Sequence, residues 1–598
     1  MNEVKERIVA LRKHMKEKKI DIYYIPNEDD HLSEEYTADY FKCKSYFSGF
    51  TGEAGCTVVT QKFVGLWTDG RYFTQAEKEL KGTGVTLMRL RQEGVLDPLD
   101  FLVENTPKNG TLGFDGKVVS TVAYMQLTKR LSAKNAKVVI DEDLCGKVWT
   151  DSRPAMPLGE LFVLPTKYTG ADVKTKVERL RNDMKKSGAD VMVLSQLEDP
   201  CWLLNIRGDD IDCTPVVYAF CMVTKNTVQY YVNPKKLNKQ VKEYFKKEKV
   251  TIKKYEAIGD DLKKLKNKVI WADLRYVNAY LSKKIDKSNK VINRPSPVLM
   301  YRACKNPVEI KSIRNAHVKD GVAMVRFICW LKENIGKIPM TEISVENKLY
   351  ELRAEGKDYI TPSFHTISAY KGNAAMMHYS ASATSNAKLK QEGFLLVDSG
   401  GTYFDGTTDI TRTIALGKLT KEEKKYFTMV LKSHLRLSRA KFLYGTTGQN
   451  LDILARGVIW DMDIDYQCGT GHGVGHVLGV HEGPHGIRWG IAKVPAVLEP
   501  GMIVTNEPGI YLPHKLGIRT ENELLVVKGK KNFYGQFLEF ETITYCPYDL
   551  DAIEYSLMSE EEIKQLNEYH AMVYKMISPY LKGKEKAWLK HATRKVAL

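Results

Sequence analysis

The chain has 598 residues, of which 90 are lysine or arginine and 73 are aspartate or glutamate, so its formal net charge is +17. A hydrophobic fraction of 43% and a charged fraction of 27% are typical of folded globular proteins and exclude long disordered stretches. The lysines concentrate in 235–290 and after 582, but neither stretch has the pattern of a known nucleic-acid module. We therefore expect a solvated basic surface and no nucleic-acid partner.

The sequence predicts a cytoplasmic protein that makes no contact with a membrane. No run of about 18 apolar residues occurs, and the first residues lack the apolar segment of a signal peptide. The ten cysteines are scattered singly, with no CxxC pair. Neither a thiolate zinc cluster nor a disulfide framework is therefore expected.

Two stretches of the N-terminal half repeat each other at a constant offset of 169 residues. In each copy an amphipathic helix is predicted to precede a strand, IDIYYI in the first and ADVMVL in the second. A period this long indicates a duplicated domain and not a solenoid. The repeated residues are Val4, Lys5, Leu11, Arg12, Met15, Lys16 and Asp21, which recur as Val173, Lys174, Leu180, Arg181, Met184, Lys185 and Asp190.

A third unit begins with a predicted helix. Asn306 suits the N-cap, Pro307 the first helical position and Glu309 a capping box. Apolar residues then follow helical spacing as far as about Asn334. Alternating strand patterns and glycine-rich loops continue from there to about residue 540.

The C-terminal segment predicts a short α-rich extension, because helical spacing continues from Ser559 to Leu581. The expected fold class is thus mixed α/β, with two related α/β domains ahead of a third. The predicted divisions of the chain are 1–158, 159–303, 304–540 and 541–598.

Two aspartates of the third unit are predicted to lie side by side. The buried run 394–397 ends at Asp398, and 407–414 alternates as a second strand that carries Asp409. Neighbouring carboxylates repel each other and lose hydration, which favours a cation between them. The alternative is a salt bridge of this pair with Arg412.

A glycine-rich segment, 468–476, places His472 on an irregular loop. Its glycine spacing does not fit a dinucleotide fingerprint, so we interpret His472 as a metal ligand, with a structural histidine as the alternative. The following segment, 481–485, matches HExxH literally. Gly483 and Pro484 would break the helix that a zincin needs, so we reject that interpretation.

Two glutamates complete the set of candidates. Glu507 ends a predicted strand, and Glu521 follows fourteen residues later beside another, so a hairpin would bring them together. The alternative is a pair of surface glutamates. Two aspartates, one histidine and two glutamates suit manganese, zinc, cobalt or iron(II). Two such ions about 3.5–4 Å apart would need bridging carboxylates.

These motifs, in this order, resemble the pita-bread metallopeptidases, which include methionine aminopeptidase, prolidase and aminopeptidase P. The N-terminal segments SGFTGEAG, WTDGRYFTQA and WLLNIRG resemble the long three-domain form of aminopeptidase P. The resemblance implies two creatinase-like α/β domains followed by a pita-bread catalytic domain. The catalytic-domain segments are LLVDSGGTYFDGTTDITRT, GTGHGVG, VHEGP, TNEPGIY and GIRTENEL.

The resemblance also implies roles for individual residues. Glu507 would act as general base, His378 would lie near the leaving amine and His481 would contact the scissile carbonyl. Arg519 would orient a metal-binding carboxylate. Two divalent cations, with manganese expected, would be held by Asp398 in a bidentate manner, by Asp409 and Glu521 as bridges, and by His472 and Glu507 at the second ion.

The implied function is a metallo-aminopeptidase that hydrolyses the N-terminal Xaa-Pro bond of peptides with a hydroxide activated by two metal ions. The implied partner is a peptide with proline at position two, and the implied assembly is a homodimer. The alternatives are a prolidase acting on Xaa-Pro dipeptides and a non-catalytic pita-bread binding module. One departure is Cys468, where relatives often have histidine, and we expect it to alter affinity or pH dependence without abolishing activity.

Overall fold

The computed structural model describes residues 3–33, 35–383, 385–490 and 496–597. The chain divides into two compact units, one of residues 1–165 and 171–298, the other of residues 166–170 and 299–598. The finer predicted boundaries at 158, 303 and 540 stay predictions. Among the described residues, no helix has the length and apolar character needed to span a bilayer.

The first unit contains two six-stranded sheets with helices packed against them. Its helices are α1 (Glu3–Glu17), α2 (Cys43–Ser48), α3 (Phe73–Glu79), α4 (Pro98–Asn105), α5 (Thr121–Ser132), α6 (Leu144–Val148), α8 (Val173–Lys186), α9 (Glu198–Leu203), α10 (Lys239–Lys247), α11 (Ala257–Lys264) and α12 (Ala279–Lys284). Helix α7 (Thr166–Thr169) belongs to the second unit. Its strands are β1 (Ile22–Ile25), β2 (Cys56–Thr60), β3 (Val64–Thr68), β4 (Thr86–Arg89), β5 (Thr111–Gly113), β6 (Lys137–Val139), β7 (Phe162–Val163), β8 (Val191–Leu194), β9 (Ile206–Arg207), β10 (Ala219–Thr224), β11 (Val228–Val232), β12 (Val250–Lys253), β13 (Val269–Ala272) and β14 (Lys290–Asn293).

The two sheets of the first unit share one topology. Their strand orders are β4-β3-β2-β1-β5-β6 and β12-β11-β10-β8-β13-β14. In each sheet the central pairs, β1 with β2 and β8 with β10, are antiparallel, and the edge strands pair in parallel. Equal order and equal strand direction support the duplication inferred from the sequence.

The repeated residues also make equivalent contacts in the two copies. Arg12 Nε donates to the carbonyl of Thr60 at 2.8 Å, and Arg181 Nε donates to the carbonyl of Thr224 at 3.0 Å. Both acceptors end the strand that pairs with the first strand of the copy. Asp21 and Asp190 each accept a backbone N–H at 2.8 Å from the start of the next parallel strand. The repeated arginine and the repeated aspartate therefore have the same structural role in both copies.

The second unit contains the long helix and the strands predicted around the candidate ligands. Its helices are α7, α13 (Pro297–Ala303, which begins at the unit boundary), α14 (Pro307–Asn334), α15 (Glu342–Ala354), α16 (Lys421–Ser438), α17 (Gly448–Trp460), α18 (Glu560–Ile577) and α19 (Gly583–Ala592). Its strands are β15 (Tyr359–Pro362), β16 (Ile367–Tyr370), β17 (Phe394–Ser399), β18 (Gly401–Tyr403), β19 (Gly406–Thr407), β20 (Ile410–Ala415), β21 (Lys441–Leu443), β22 (Gly471–Gly473), β23 (Glu482–Ile487), β24 (Ile503–Asn506), β25 (Gly509–Leu512), β26 (Leu516–Arg519), β27 (Asn522–Asn532) and β28 (Gly535–Thr542).

Helix α14 begins and ends where its sequence predicts. The Asn306 side chain accepts the N–H groups of Val308 and Glu309, and the Glu309 side chain accepts the N–H of Asn306, which completes the capping box. The C-terminal helix is shorter than predicted. Helix α18 ends at Ile577, and a short 3₁₀ turn containing Pro579 follows, because proline has no N–H for a helical hydrogen bond.

Candidate metal centre

Asp398 and Asp409 come from adjacent antiparallel strands. Asp398 lies in β17 and pairs with Thr411 in β20, so Asp409 is two residues from that partner. The predicted strand 407–414 is interrupted at Thr408 and Asp409, where the backbone N–H of Asp409 donates to the Glu523 side chain at 2.7 Å and not to a neighbouring strand. Both aspartates are buried.

His472 is held in one orientation at the centre of β22. Its Nδ1 lies 3.0 Å from the carbonyl of Gly473, so that Nδ1 donates and Nε2 is left for a ligand. Nε2 is 3.4 Å from Oδ2 of Asp409 and 3.4 Å from Oε1 of Glu507. A Cβ atom at Gly471 would lie 1.9 Å from the carbonyl of Thr505, so glycine lets this strand approach β24 closely.

Glu507 and Glu521 meet across the pair formed by β24 and β27, whose register joins Asn506 to Asn522. Each glutamate accepts one hydroxyl hydrogen bond. Thr505 Oγ1 donates to Glu507 Oε1 at 3.1 Å, and Thr411 Oγ1 donates to Glu521 Oε2 at 2.7 Å. One oxygen of each carboxylate is thus held in place by a threonine.

The negative charges at this site are only partly compensated by the one arginine that contacts it, Arg519. Burial, followed by repulsion from the neighbouring carboxylates, raises the pKa of Asp409 and of Glu521 well above their ordinary values. In the described part of the chain, no donor hydrogen-bonds Oδ1 of Asp398, Oδ1 of Asp409 or Oε1 of Glu521. Buried acceptors of this kind are rare without a cation.

One carboxylate oxygen each from Asp409 and Glu521, together with a ring nitrogen of His472, lies within 4.8 Å of the other two. This spacing lets one ion touch all three residues. Oxygen donors with a single imidazole suit a divalent cation such as manganese, iron(II), cobalt or zinc. The residues therefore fit a divalent metal site.

Arg519 is the arginine that reaches this site. Its Nη2 donates to Oδ2 of Asp398 at 2.5 Å, and its Nη1 donates to the hydroxyl of Tyr511 at 2.6 Å. The alternative salt bridge with Arg412 is wrong, because the Arg412 guanidinium donates to the carbonyl of Glu521 and to the side chain of Asn522. Side chains alternate along β20, so Arg412 faces away from the side that Thr411 faces.

Of the two candidate catalytic histidines, His481 lies beside a candidate ligand and His378 follows a residue that contacts Arg519. The ring of His481 meets the ring of His472 edge to face, with centroids 4.2 Å apart. His378 follows Met377, whose carbonyl is 3.4 Å from Nη2 of Arg519. Both histidines are partly exposed. The segment 482–487 is strand β23, so HExxH is not on a helix, in agreement with the rejection of a zincin site.

Sequence reasoning did not identify two residues that support the ligands. Glu523 accepts the N–H of Asp409, and its other oxygen is 3.1 Å from Nε2 of His317 on α14. Glu523 could have been found, because it lies two residues after Glu521 and shares its face of the strand. His317 carries no such signal, since it is 206 positions away from the carboxylate that it contacts.

Family models describe nearly the whole chain. The model described as metallopeptidase family M24 matches residues 311–528, and the model for its C-terminal region matches 536–596. Two models of the creatinase/prolidase N-terminal domain match residues 7–142 and 152–309.

Named relatives and a solved structure are similar along their whole length. Xaa-Pro aminopeptidase 1 of Dictyostelium discoideum is 37% identical over 607 residues, covering 98% of this chain and 96% of the relative. Aminopeptidase P1 of Arabidopsis thaliana is 35% identical over 631 residues, covering 97% of each. The crystal structure of a Caenorhabditis elegans X-prolyl aminopeptidase, described as a cytosolic enzyme with a di-nuclear active site, is 34% identical with a TM-score of 0.93 and covers 99% of this chain and 100% of that one.

The fold and the site together define a metallopeptidase with creatinase-type N-terminal domains. The chain belongs to metallopeptidase family M24, in the group of the Xaa-Pro aminopeptidases.

Proposed function

We propose that the chain removes the N-terminal residue from peptides whose second residue is proline. The observation that carries this proposal is a cluster of buried carboxylates beside one histidine, in which Asp398, Asp409 and Glu521 each have one oxygen without a hydrogen bond among the described residues. Buried carboxylates this close together are unfavourable unless a cation binds between them. The relatives of the chain are named for Xaa-Pro aminopeptidase activity. An expected partner is therefore a peptide with an Xaa-Pro start.

Two divalent ions are proposed, with manganese as the ion used. Asp409 and Glu521 would bridge the ions, Asp398 would bind one of them, and His472 with Glu507 would complete the other. When bound, the ions lower the pKa of coordinated water and polarise the scissile carbonyl. Arg519 would orient the carboxylate of Asp398 toward the metal by donating to its Oδ2.

The protein's own groups would move the protons. Glu507 is 20% exposed and faces His472, so it can accept a proton from the attacking water and pass it on. His481, beside His472, would donate a hydrogen bond to the carbonyl oxygen as negative charge develops there. His378 would assist departure of the proline nitrogen. This nitrogen belongs to a tertiary amide without N–H, so a pocket shaped for the ring would supply specificity.

The replacement Glu507→Gln tests the proposal. We expect turnover of an Arg-Pro-Pro peptide to fall by about 10³-fold, because a ligand charge and a proton acceptor are both lost. Glu499→Gln is a matched control, since Glu499 accepts a hydrogen bond from Tyr444 and is not among the candidate ligands. Unchanged turnover in the Glu507 variant would exclude the role given to it.

A peptide panel separates the proposal from its alternatives. Arg-Pro, Arg-Pro-Pro and Arg-Ala-Ala would be offered with manganese and then with a chelator. An aminopeptidase P cleaves the tripeptide with proline, a prolidase prefers the dipeptide, and a binding module cleaves none. Salt-sensitive binding of nucleic acid by metal-free protein would favour the module.

We also propose a cytoplasmic homodimer. The similar C. elegans enzyme is described as cytosolic, which supports the location. Light scattering of the purified full chain would test the assembly, and a mass of one chain would exclude the dimer.

A further inference from the structure

Each of the two candidate metal-binding glutamates has an asparagine as its neighbour in the chain. Asn506 precedes Glu507, Asn522 follows Glu521, and the two asparagines are partners in the register of β24 and β27. Both asparagines are fully buried. Because adjacent side chains in strands point to opposite faces, the asparagines extend away from the proposed metal site.

Asn506 and His434 of α16 are joined by two hydrogen bonds, one in each direction. Its Nδ2 donates to the carbonyl of His434 at 2.9 Å, and His434 Nδ1 is 3.0 Å from the carbonyl of Asn506. Burial, with a smaller contribution from Arg412, lowers the pKa of His434 to about 3. The ring is therefore neutral, with Nδ1 donating to Asn506 and Nε2 accepting.

Asn522 is bound through both atoms of its amide. Arg412 Nη2 donates to its Oδ1 at 2.8 Å, and its Nδ2 donates to the hydroxyl of Tyr548 at 2.8 Å. That hydroxyl is 2.9 Å from Nε2 of His434, to which it donates. The path from Asn522 through Tyr548 and His434 to Asn506 is thus continuous, with a donor and an acceptor at every step.

The C-terminal extension supplies much of this path. Tyr548 stacks on Tyr569 of α18 with ring centroids 4.5 Å apart. Tyr569 accepts from Arg412 Nη2 at 2.9 Å, and Arg412 Nη1 donates to the carbonyl of Glu521 at 2.6 Å. Arg412 therefore connects the extension directly to the backbone of a candidate ligand.

We propose that Asn506 and Asn522, held by His434, Arg412 and Tyr548, are positioning residues that set the separation of Glu507 and Glu521. These five residues form what we name the asparagine clamp. Like charges on the two glutamates push them apart when no ion is bound, and the clamp resists that separation from the other face of the sheet. The C-terminal extension thereby acts on the metal site without contacting substrate. This inference rests on the proposed dinuclear function.

Metal binding by full-length Asn522→Leu and Asn522→Asp proteins tests the clamp. We expect the leucine variant to bind the weaker of two Mn²⁺ ions about 10–100-fold less tightly by calorimetry, and to lose the spin-coupled electron paramagnetic resonance signal of a manganese pair. The aspartate variant keeps the acceptor for Arg412 but loses the donor to Tyr548, so we expect its loss of affinity to be smaller than that of the leucine variant. Val573→Ala is the control, because it removes buried apolar volume from α18 outside the clamp.

The outcomes separate the clamp from simple loss of stability and from the proposed function. A wild-type protein that binds no Mn²⁺ overturns the proposed function. A wild type that binds two ions, together with an Asn522→Leu variant that binds both equally well, overturns the clamp alone. Equal weakening in Val573→Ala also overturns it, since general destabilisation would then explain the effect. If Asn522→Leu does not fold, Tyr548→Phe replaces it and must weaken the second ion more than Val573→Ala does.

Discussion

The two units of the molecule bury carboxylates to a similar degree and surround them differently. In the first unit, Asp210 is 5% exposed and accepts hydrogen bonds from the backbone of Gly159 and Tyr218 and from Lys236 Nζ. In the second unit, Asp409 is 4% exposed and Glu521 is 1% exposed, and each has one oxygen without a hydrogen bond among the described residues. Burial is common to both regions, and pairing distinguishes them.

This difference separates structural acids from candidate ligands. Burial raises the pKa of Asp210 and also that of Asp409, so a raised pKa alone does not identify the metal site. The Asp210 carboxylate already has its cation in the chain, namely Lys236. Asp409 and Glu521 have the carboxylates of Asp398 and Glu507 as neighbours and must obtain a further cation from solution.

The largest effect is expected from Asp409→Asn, which should lower peptidase activity by about 10³-fold or more because a bridging charge is lost. In chelator, the same change should raise the unfolding temperature by about 2 °C or more, since it removes one of several repelling buried charges. Peptide hydrolysis and calorimetry measure the two effects. A lower unfolding temperature without metal would contradict the idea that these carboxylates are only partly compensated.

Asp210→Asn should have the opposite consequences to Asp409→Asn, lowering stability and leaving the metal site intact. Removing one partner of this buried pair leaves Lys236 without its carboxylate and should lower the free energy of unfolding by about 3 kcal/mol. Metal affinity should not change. Denaturant unfolding measures the loss, and the double change Asp210→Asn with Lys236→Met should recover part of it. Full stability in the single variant would mean that the pair contributes nothing.

The two units should also differ in their response to acid. In the second unit, burial lowers the pKa of three histidines below 6.5, and their neutral forms contribute stability that is lost as the pH falls from about 6.5 toward 4. These histidines and their pKa values are His434 at about 3, His485 at about 4 and His570 at about 3. In the first unit, His31 at about 4 is offset by Asp29 and Asp30, whose pKa values of about 6 give the opposite slope.

We therefore expect the metal-loaded second unit to lose stability first as the pH is lowered from 6.5 to 4. Hydrogen exchange resolved along the chain measures this order. His570→Gln should reduce the loss, because glutamine can accept the N–H of Tyr548 without titrating. Earlier exchange in the first unit would contradict the expected order.

The smallest effect is expected from Cys468→His. Cys468 is partly buried and interacts with Tyr511, the tyrosine that accepts from Arg519. A histidine there would add a hydrogen-bond donor near the peptide and should lower KM by about three- to tenfold with kcat little changed. The pH profile of kcat/KM for both proteins checks this. Identical KM values and profiles would show that position 468 does not contact substrate.

The sequence by itself determined the features that depend on near neighbours. The capping box at Asn306, the helix-to-strand order of each repeated segment and the pairing of Glu507 with Glu521 across a hairpin all follow from local patterns. These patterns were sufficient because capping, strand alternation and short hairpins are decided by residues a few positions apart.

Only the tertiary structure decided which distant residues serve those carboxylates. Arg412 is closer in sequence to Asp409, yet Arg519 binds Asp398, because alternation along β20 directs Arg412 to the opposite face. His317 reaches Glu523 from a separate helix, and the C-terminal extension reaches Asn522 through Tyr548. These contacts depend on how helices pack on sheets, which no spacing within a single segment encodes.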